Sequence, residues 1–502
     1  MDSLVLTLVL PSIRLLLLFF IVFLIARLWF KVETQLPLPP GPFSIPFLGF
    51  LPFVGQDFHI TLAHLSKRYG SVYQLFLGRN RIVVISDSNI IREAFRQPIF
   101  SGRPDTELTK ILQGLGIVFS DGDLWKEQRS FLHGVLRQFG TNKLMNGRNG
   151  FESKIKEQVT EFLNNLQSFE EKPCRIRPLL ASAVSNVVGS VLISSTLKNE
   201  EKKSFERLLS LMEEGFKLVT IAMPANFLPL FRYMPCVNRA YQKIKANRAE
   251  TCGYFKKIVT DHRKTLDPFN IRDICDAYIV QQEKVQKDGK KSYFSDEQLI
   301  QIMNDVFSAG METVTSTLDW AILFLMLYPK VQRNIQEEID MVIGEQREPS
   351  LSDLPKMPYT EATIYEVLRR STVIALGNAH LTLNDTILAG YRIPKNSQIL
   401  PNLYAIHMDP KLWKDPELFD PNRFLRDGKI FKPNYFIPFS VGRRMCLGDT
   451  LTRMEVFLFL TGLLKKYNLQ VPPNEEMPST KGTTAVSTVP KPYNVYITLR
   501  RV

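Results

Sequence analysis

The sequence predicts a mostly α-helical protein with a minor β region, held behind an N-terminal transmembrane anchor. Three observations carry that prediction. Long stretches repeat apolar residues at helical spacing: residues 150 to 290, a run of about 32 residues from Ser295 to Leu327, and Leu451 to Leu464. Strand signals are few. The clearest is Ser71 to Leu77 and Arg81 to Ser86 on either side of Gly78-Arg79-Asn80, which reads as a β-hairpin. Leu4 to Phe30 is almost wholly apolar.

Composition allows one large folded unit. The 502 residues are 45% hydrophobic, with no Gly/Ser linker, fixed-period repeat or low-complexity segment to divide them after residue 45. The expected organisation is an anchor over 1–30, a proline-rich hinge over 31–45 and one folded domain over 46–502. The five cysteines, Cys174, Cys236, Cys252, Cys275 and Cys446, are scattered and odd in number, which suits reduced thiols on the cytosolic side. A net charge of +13 raises nucleic acid, anionic lipid or an acidic protein as partners. No basic run is interleaved with aromatics, so nucleic acid is excluded and an acidic protein is the sharper reading.

As a helix, Leu4 to Phe30 would reach ~40 Å, enough for a hydrocarbon core of about 30 Å. No small-x-small cleavage site follows, since Trp29-Phe30-Lys31-Val32 is bulky, so the segment reads as an uncleaved anchor. Arg27 and Lys31 on its C-terminal flank place the remaining chain in the cytosol. Leu36-Pro37-Leu38-Pro39-Pro40-Gly41-Pro42 then reads as a stiff, extended spacer. A helix over 61 to 69 ends at Gly70, before the hairpin.

Trp125 and Arg129 lie four residues apart in a helix from about Asp123 to Phe139 and so share one face. Phe216 to Cys236 is apolar and broken by Pro224, Pro229 and Pro235. The longest helix opens with a capping box, Ser295 and Gln298, and stops before Pro329. Its middle holds Ala309-Gly310-Met311-Glu312-Thr313. A threonine inside a helix turns its hydroxyl onto the carbonyl four residues earlier, here Ala309, and distorts the local ladder. With Gly310 in the same turn, a gap in the helix is expected. Glu366 and Arg369 share the next helical stretch, and His380 follows a β-like segment, Thr372 to Ala379.

Near the C-terminus stands Phe439-Ser440-Val441-Gly442-Arg443-Arg444-Met445-Cys446-Leu447-Gly448, directly ahead of a helix. A cysteine between glycines in loop backbone sits near amide N–H groups, surroundings that stabilise the thiolate which binds iron. Gly442 and Gly448 let the backbone approach a flat ligand, and Arg444 can reach a carboxylate with its planar fork of donors.

Phe439, Gly442, Arg444, Cys446 and Gly448 at these spacings resemble the haem-binding signature of the cytochrome P-450 family, haem-thiolate monooxygenases. The remaining motifs stand in the family's order from about residue 35 to the C-terminus. The resemblance implies the cytochrome P-450 fold and haem b with Cys446 thiolate as axial ligand of the iron. It implies propionates held by Arg444, Trp125, Arg129 and His380, in a haem-binding loop that includes Phe439 and Gly448. It gives Thr313 a hydrogen bond to bound dioxygen and Glu312 the delivery of protons through water. Glu366 and Arg369, with Arg423 of Phe419-Asp420-Pro421-Asn422-Arg423-Phe424, form a structural charge network. Phe216 to Cys236 resembles the membrane-dipping substrate entrance of microsomal relatives.

No nicotinamide or flavin fingerprint is visible. The resemblance therefore implies electrons from an NADPH-dependent flavoprotein reductase, with a microsomal b-type cytochrome as a further partner, at the endoplasmic reticulum membrane. Ser101 to Asp105, Leu124 to Arg129, Leu136 to Gly140, Phe307 to Thr313 and Gly442 to Asp449 look like arthropod microsomal enzymes that hydroxylate the side chain of moulting steroids, which implies an ecdysteroid-type lipophilic substrate. Ile374-Ala375-Leu376-Gly377 departs by lacking the usual proline. Alternatives are hydroxylation or epoxidation of terpenoid hormones or foreign compounds, and peroxide isomerisation, against which Glu312-Thr313 argues.

Overall fold

A computed structural model describes residues 36–500 apart from 56, 141–149 and 195–198, so the expected anchor over 1–30 lies outside the described residues. The first part comprises α1 (Phe58–Tyr69), β1 (Val72–Leu77), β2 (Asn80–Ile85), α2 (Ser88–Arg96) and α3 (Gly122–Gly140). A helical block follows with α4 (Phe151–Gln167), the short β3 (Pro173–Cys174), α5 (Ile176–Ile193), α6 (Asn199–Ala222), α7 (Pro235–Lys264), α8 (Ile274–Lys287), α9 (Asp296–Leu327), α10 (Pro329–Val342) and α11 (Pro358–Ser371). Short strands β4 (His380–Leu381), β5 (Thr386–Leu388), β6 (Tyr391–Ile393) and β7 (Gln398–Pro401) precede α12 (Leu403–His407), β8 (Leu425–Arg426) and β9 (Lys429–Ile430). The chain closes with α13 (Asp449–Lys466), β10 (Tyr467–Gln470), β11 (Thr483–Thr484), β12 (Thr488–Val489) and β13 (Val495–Leu499).

The architecture is mostly helical with a minor β region, as expected. Helix α9 runs through the middle, packed against α5, α7, α11 and α13, and its second half from Val314 to Met326 is buried. Helix α5 is long and apolar enough to cross a membrane, yet 67% of it is buried inside the protein, so it serves as a core helix. Pro235, Pro329 and Pro358 each open a helix, where the missing N–H leaves no bond unmade. The main sheet has the order β1-β2-β7-β4, with β2 and β7 parallel and the other pairs antiparallel. The β1–β2 register, Leu77 opposite Asn80, matches the predicted hairpin.

The proline segment is tied to the domain, where the Gln74 N–H donates to the Pro40 carbonyl at 2.8 Å and the Arg392 N–H to that of Pro37 at 3.0 Å. Three local expectations change. Half the capping box forms, because Gln298 N–H donates to Ser295 Oγ while the Gln298 side chain instead brackets the Gly116 backbone, N–H and carbonyl both at 2.9 Å. Residues 372–379 form a turn rather than a strand. Thr372 takes φ +36° to end α11 and Gly377 takes φ +55°, so pairing begins at His380. Helix α9 stays continuous through Thr313, and a Cβ on Gly310 would meet Val188 Cγ2 at 2.9 Å. That glycine admits α5 to close packing instead of opening a gap.

Candidate functional site

The loop before α13 is fixed by its backbone. Gly442 has φ +81°, and a Cβ there would lie 2.2 Å from the Phe95 carbonyl oxygen, so α2 and the loop meet this closely because the residue is glycine. Gly448 has φ −95°, and near its Cβ position stands just the Cys446 sulfur at 4.0 Å, so the surrounding protein does not demand glycine there. Phe439 is part-buried, and its carbonyl accepts the Cys446 N–H at 3.1 Å, which closes the loop on itself.

Cys446 is exposed by accessible area, yet enough protein crowds it for desolvation to push its thiol up. Both hold for a side chain on the wall of an internal opening. A hydrogen bond from the Gly448 amide and the charge of Arg129 act the other way, but burial wins, with Asp449 assisting it. The Gly448 amide favours the thiolate, as the sequence leads one to expect, but does not by itself offset burial; a bound cation would, since a coordinated thiol loses its proton outright.

Beside the loop lies a group of cations. Arg444 spreads over Trp125 at 3.8 Å and donates to the carbonyls of Ser101 (3.0 and 2.8 Å) and Ser120 (2.8 Å). Arg103 donates to the carbonyls of Val118 (2.9 Å) and Ala379 (2.7 Å), and Arg129 to that of Met445. Burial first, then neighbouring arginines, hold Arg103 down to about 10 and Arg444 down to about 8; Asp121 opposes this at both. Trp125 Nε1 and Arg444 Nη1 are buried without a partner among the described residues. Unpaired donors amid surplus positive charge fit a ligand carrying carboxylates, as the two propionates of haem would be.

His380 is stacked on Phe95 at 3.7 Å with its Nδ1 2.8 Å from the Phe100 carbonyl oxygen. Burial, then Arg103, pushes it down to about 3, so the ring is neutral. A carbonyl can bond only to a protonated Nδ1, which leaves Nε2 as an acceptor. The expected propionate contact from His380 thus requires the ring to take up a second proton.

On α9, Thr313 Oγ1 donates to the Ala309 carbonyl at 2.8 Å, as expected, and Ala309 is exposed on a helix otherwise largely buried. With that hydrogen committed, the Thr313 oxygen presents lone pairs. Glu312 lies elsewhere: its oxygens accept from Arg177 Nη2 at 3.1 and 3.2 Å and from Ser487 Oγ at 2.6 Å. Far from the loop in sequence, Glu366 and Arg369 are both fully buried and paired at 2.7 and 2.8 Å, with Arg423 at 3.4 Å from Glu366.

Sequence reasoning missed Arg103, Arg177 and Ser487. Arg177 left a signal, since it opens an otherwise almost wholly apolar helix; Ser487 left none.

The family described as cytochrome P450 matches residues 39–497 of the chain. Among similar proteins, cytochrome P450 18a1 of Drosophila melanogaster is 41% identical over 469 residues, covering 92% of this chain and 87% of the relative. Cytochrome P450 2U1 of Homo sapiens is 34% identical over 521 residues, with 98% and 94% covered. Cytochrome P450 2J5 of Mus musculus is 36% identical over 448 residues, with 88% and 87% covered.

Proposed function

This chain belongs to the cytochrome P450 family, and we propose that it hydroxylates an ecdysteroid-type lipophilic substrate at the endoplasmic reticulum membrane, with electrons from an NADPH-dependent flavoprotein reductase. Like the family, it is a monooxygenase that uses haem with a cysteine thiolate ligand. When bound, the haem supplies reductive activation of dioxygen, one atom entering a C–H bond and the other leaving as water with two protons.

The observation that carries the residue roles is the surplus of buried cationic donors beside Cys446. Arg444, Arg129 and the Trp125 indole N–H orient the propionates, Arg103 adds charge behind them, and His380 joins once protonated. Cys446 supplies the sulfur. Thr313 Oγ1 holds a water or a protonated ligand by its lone pairs, and Glu312 supplies the proton that crosses to it. Membrane attachment is supported by two exposed apolar groups, Phe43, Phe47 and Phe53, and Leu230, Tyr233 and Met234. They belong to neighbouring segments, since the Phe50 N–H donates to the Phe76 carbonyl and Gly78 packs on the Phe227 carbonyl. The net charge of +13 suits an acidic electron donor. The test is reconstitution with the reductase and a panel of steroids, terpenoids and foreign lipophiles, with products identified by mass spectrometry. Hydroxylated ecdysteroid supports the proposal, and turnover confined to the other classes rejects the substrate.

A further inference from the structure

The carboxylate assigned to proton delivery is restrained on three sides. Besides Arg177 and Ser487, Ser316 Oγ donates to Glu312 Oε1 at 3.2 Å. Glu312 and Ser316 are four residues apart and share one face of α9, as do Ala309 and Thr313 on another face, about 100° round the helix. As held, the Glu312 carboxylate faces α5 and the β11–β12 turn, away from Thr313 Oγ1.

That turn is itself tethered. The Thr488 N–H donates to the Val373 carbonyl at 2.7 Å, Trp320 Nε1 donates to the Thr488 carbonyl at 2.9 Å, and the Ala485 N–H donates to the Ser487 carbonyl at 3.0 Å. Beside Ser487 in the same tight turn, Val486 is an exposed apolar side chain. One residue of the turn therefore grips Glu312 while its neighbour offers an apolar surface. Arg177, on the other side, has a side chain one-third exposed and so connects the carboxylate with solvent.

We propose that Ser487 and Arg177 are positioning residues that hold Glu312 away from Thr313 until a lipophilic substrate seats against the Val486 turn and withdraws the Ser487 hydroxyl. The inference rests on the proton-delivery reading of Glu312 and Thr313 given above. Once released from the ion pair, the carboxylate takes up a proton from solvent beside Arg177, swings about its side-chain torsions and passes that proton to water at Thr313 Oγ1, which returns it to the carboxylate form. Each hydroxylation consumes substrate, O2, NADPH and a proton and yields alcohol, water and NADP+. A closed gate in the absence of substrate suppresses the wasteful alternative, in which O2, NADPH and a proton yield hydrogen peroxide and NADP+.

The experiment compares Ser487→Ala with Ser487→Thr in the full-length holoenzyme reconstituted with reductase. Loss of one hydrogen bond to a charged group shifts the held-to-released ratio about tenfold, so substrate-free peroxide formation rises by up to that factor in S487A and returns towards wild type in S487T. A readout independent of turnover is the carboxylate infrared stretch assigned to Glu312 by difference from Glu312→Gln. Without substrate it is displaced in S487A and not in S487T, and in wild type it moves to the same place on saturation with ecdysone. Arg177→Lys, which keeps the charge but loses the forked grip, displaces the band as well. Identical bands in S487A and wild type, with and without ecdysone, overturn the gate. If Glu312→Gln instead leaves the ratio of hydroxylated ecdysone to NADPH consumed unchanged, the delivery role of Glu312 fails, whatever Ser487 does.

Discussion

Arg369 is the position whose loss the structure prices most clearly. Its guanidinium donates to Glu366 Oε2 and Oε1 at 2.7 and 2.8 Å, and to the carbonyls of His407, Pro416 and Leu418 at 2.8, 2.9 and 3.3 Å. These bonds pin α11 to the segment running from α12 to the Phe419–Phe424 turn. Arg369→Met leaves a buried carboxylate with only Arg423 at 3.4 Å and the Asp420 N–H, at about 3 kcal/mol, and the His407 and Pro416 carbonyls short of a donor, at about 1 kcal/mol each, while the Leu418 carbonyl keeps Arg423. The sum, about 5 kcal/mol, is comparable to the whole stability of a marginal domain. Burial already pushes Glu366 up, so the carboxyl limits the loss by taking a proton. Arg369→Met is expected to yield no folded haem protein. Arg369→Lys keeps the charge and loses most of the fork, so about 3 kcal/mol is expected, read as a lower urea midpoint at unchanged slope. Glu366→Gln combined with Arg369→Lys should fall short of the sum of the single effects by ~1–3 kcal/mol. A midpoint for Arg369→Lys equal to wild type, or strict additivity in the double variant, refutes the reasoning.

Cys446→Ser is expected to lose the thiolate-specific, red-shifted band of the reduced carbonyl complex, because a serine hydroxyl keeps its proton near neutral pH; retention of that band removes Cys446 as ligand. His407 is fully buried, its Nδ1 bonded to Thr372 and its Nε2 accepting from the Ile437 N–H, and burial pushes it down to about 3 from 6.5. The unfolded chain therefore binds a proton that the folded protein refuses, and stability is complete above pH 6.5 and lost as pH falls towards 3, by about 1.4 kcal/mol per unit below 6.5. Urea titrations at pH 7 and 5 should differ accordingly, and His407→Gln should flatten that dependence. Removing residues 1–30 should weaken membrane association while haem binding persists, and adding Leu230→Ser with Tyr233→Ser should release the remainder in flotation assays.

What was legible in the sequence was local. Trp125 and Arg129, Ala309 and Thr313, and Glu366 and Arg369 are each separated by three or four residues, so helical spacing alone brings them together. The Gly78-Arg79-Asn80 turn sets its own register. What stayed hidden depends on chain segments that meet after folding: Arg177 reaches Glu312 across 135 positions and Ser487 across 175. Gln298 abandoned the cap because the Gly116 backbone, 182 positions away, offered it two bonds. The strand expected over 372–379 failed because two left-handed residues, Thr372 and Gly377, overrode β-branched composition. Gly310 was read as part of a gap in the helix, whereas it makes room for Val188.

The proposed reaction inserts one atom of dioxygen into an ecdysteroid-type substrate. The direct measurement is mass spectrometry of ecdysone turned over under isotopically heavy dioxygen by the full-length holoenzyme, with reductase and NADPH. A hydroxylated product carrying one heavy oxygen atom, absent without NADPH, is expected. A product whose added oxygen comes from water, or that forms without NADPH, would contradict it.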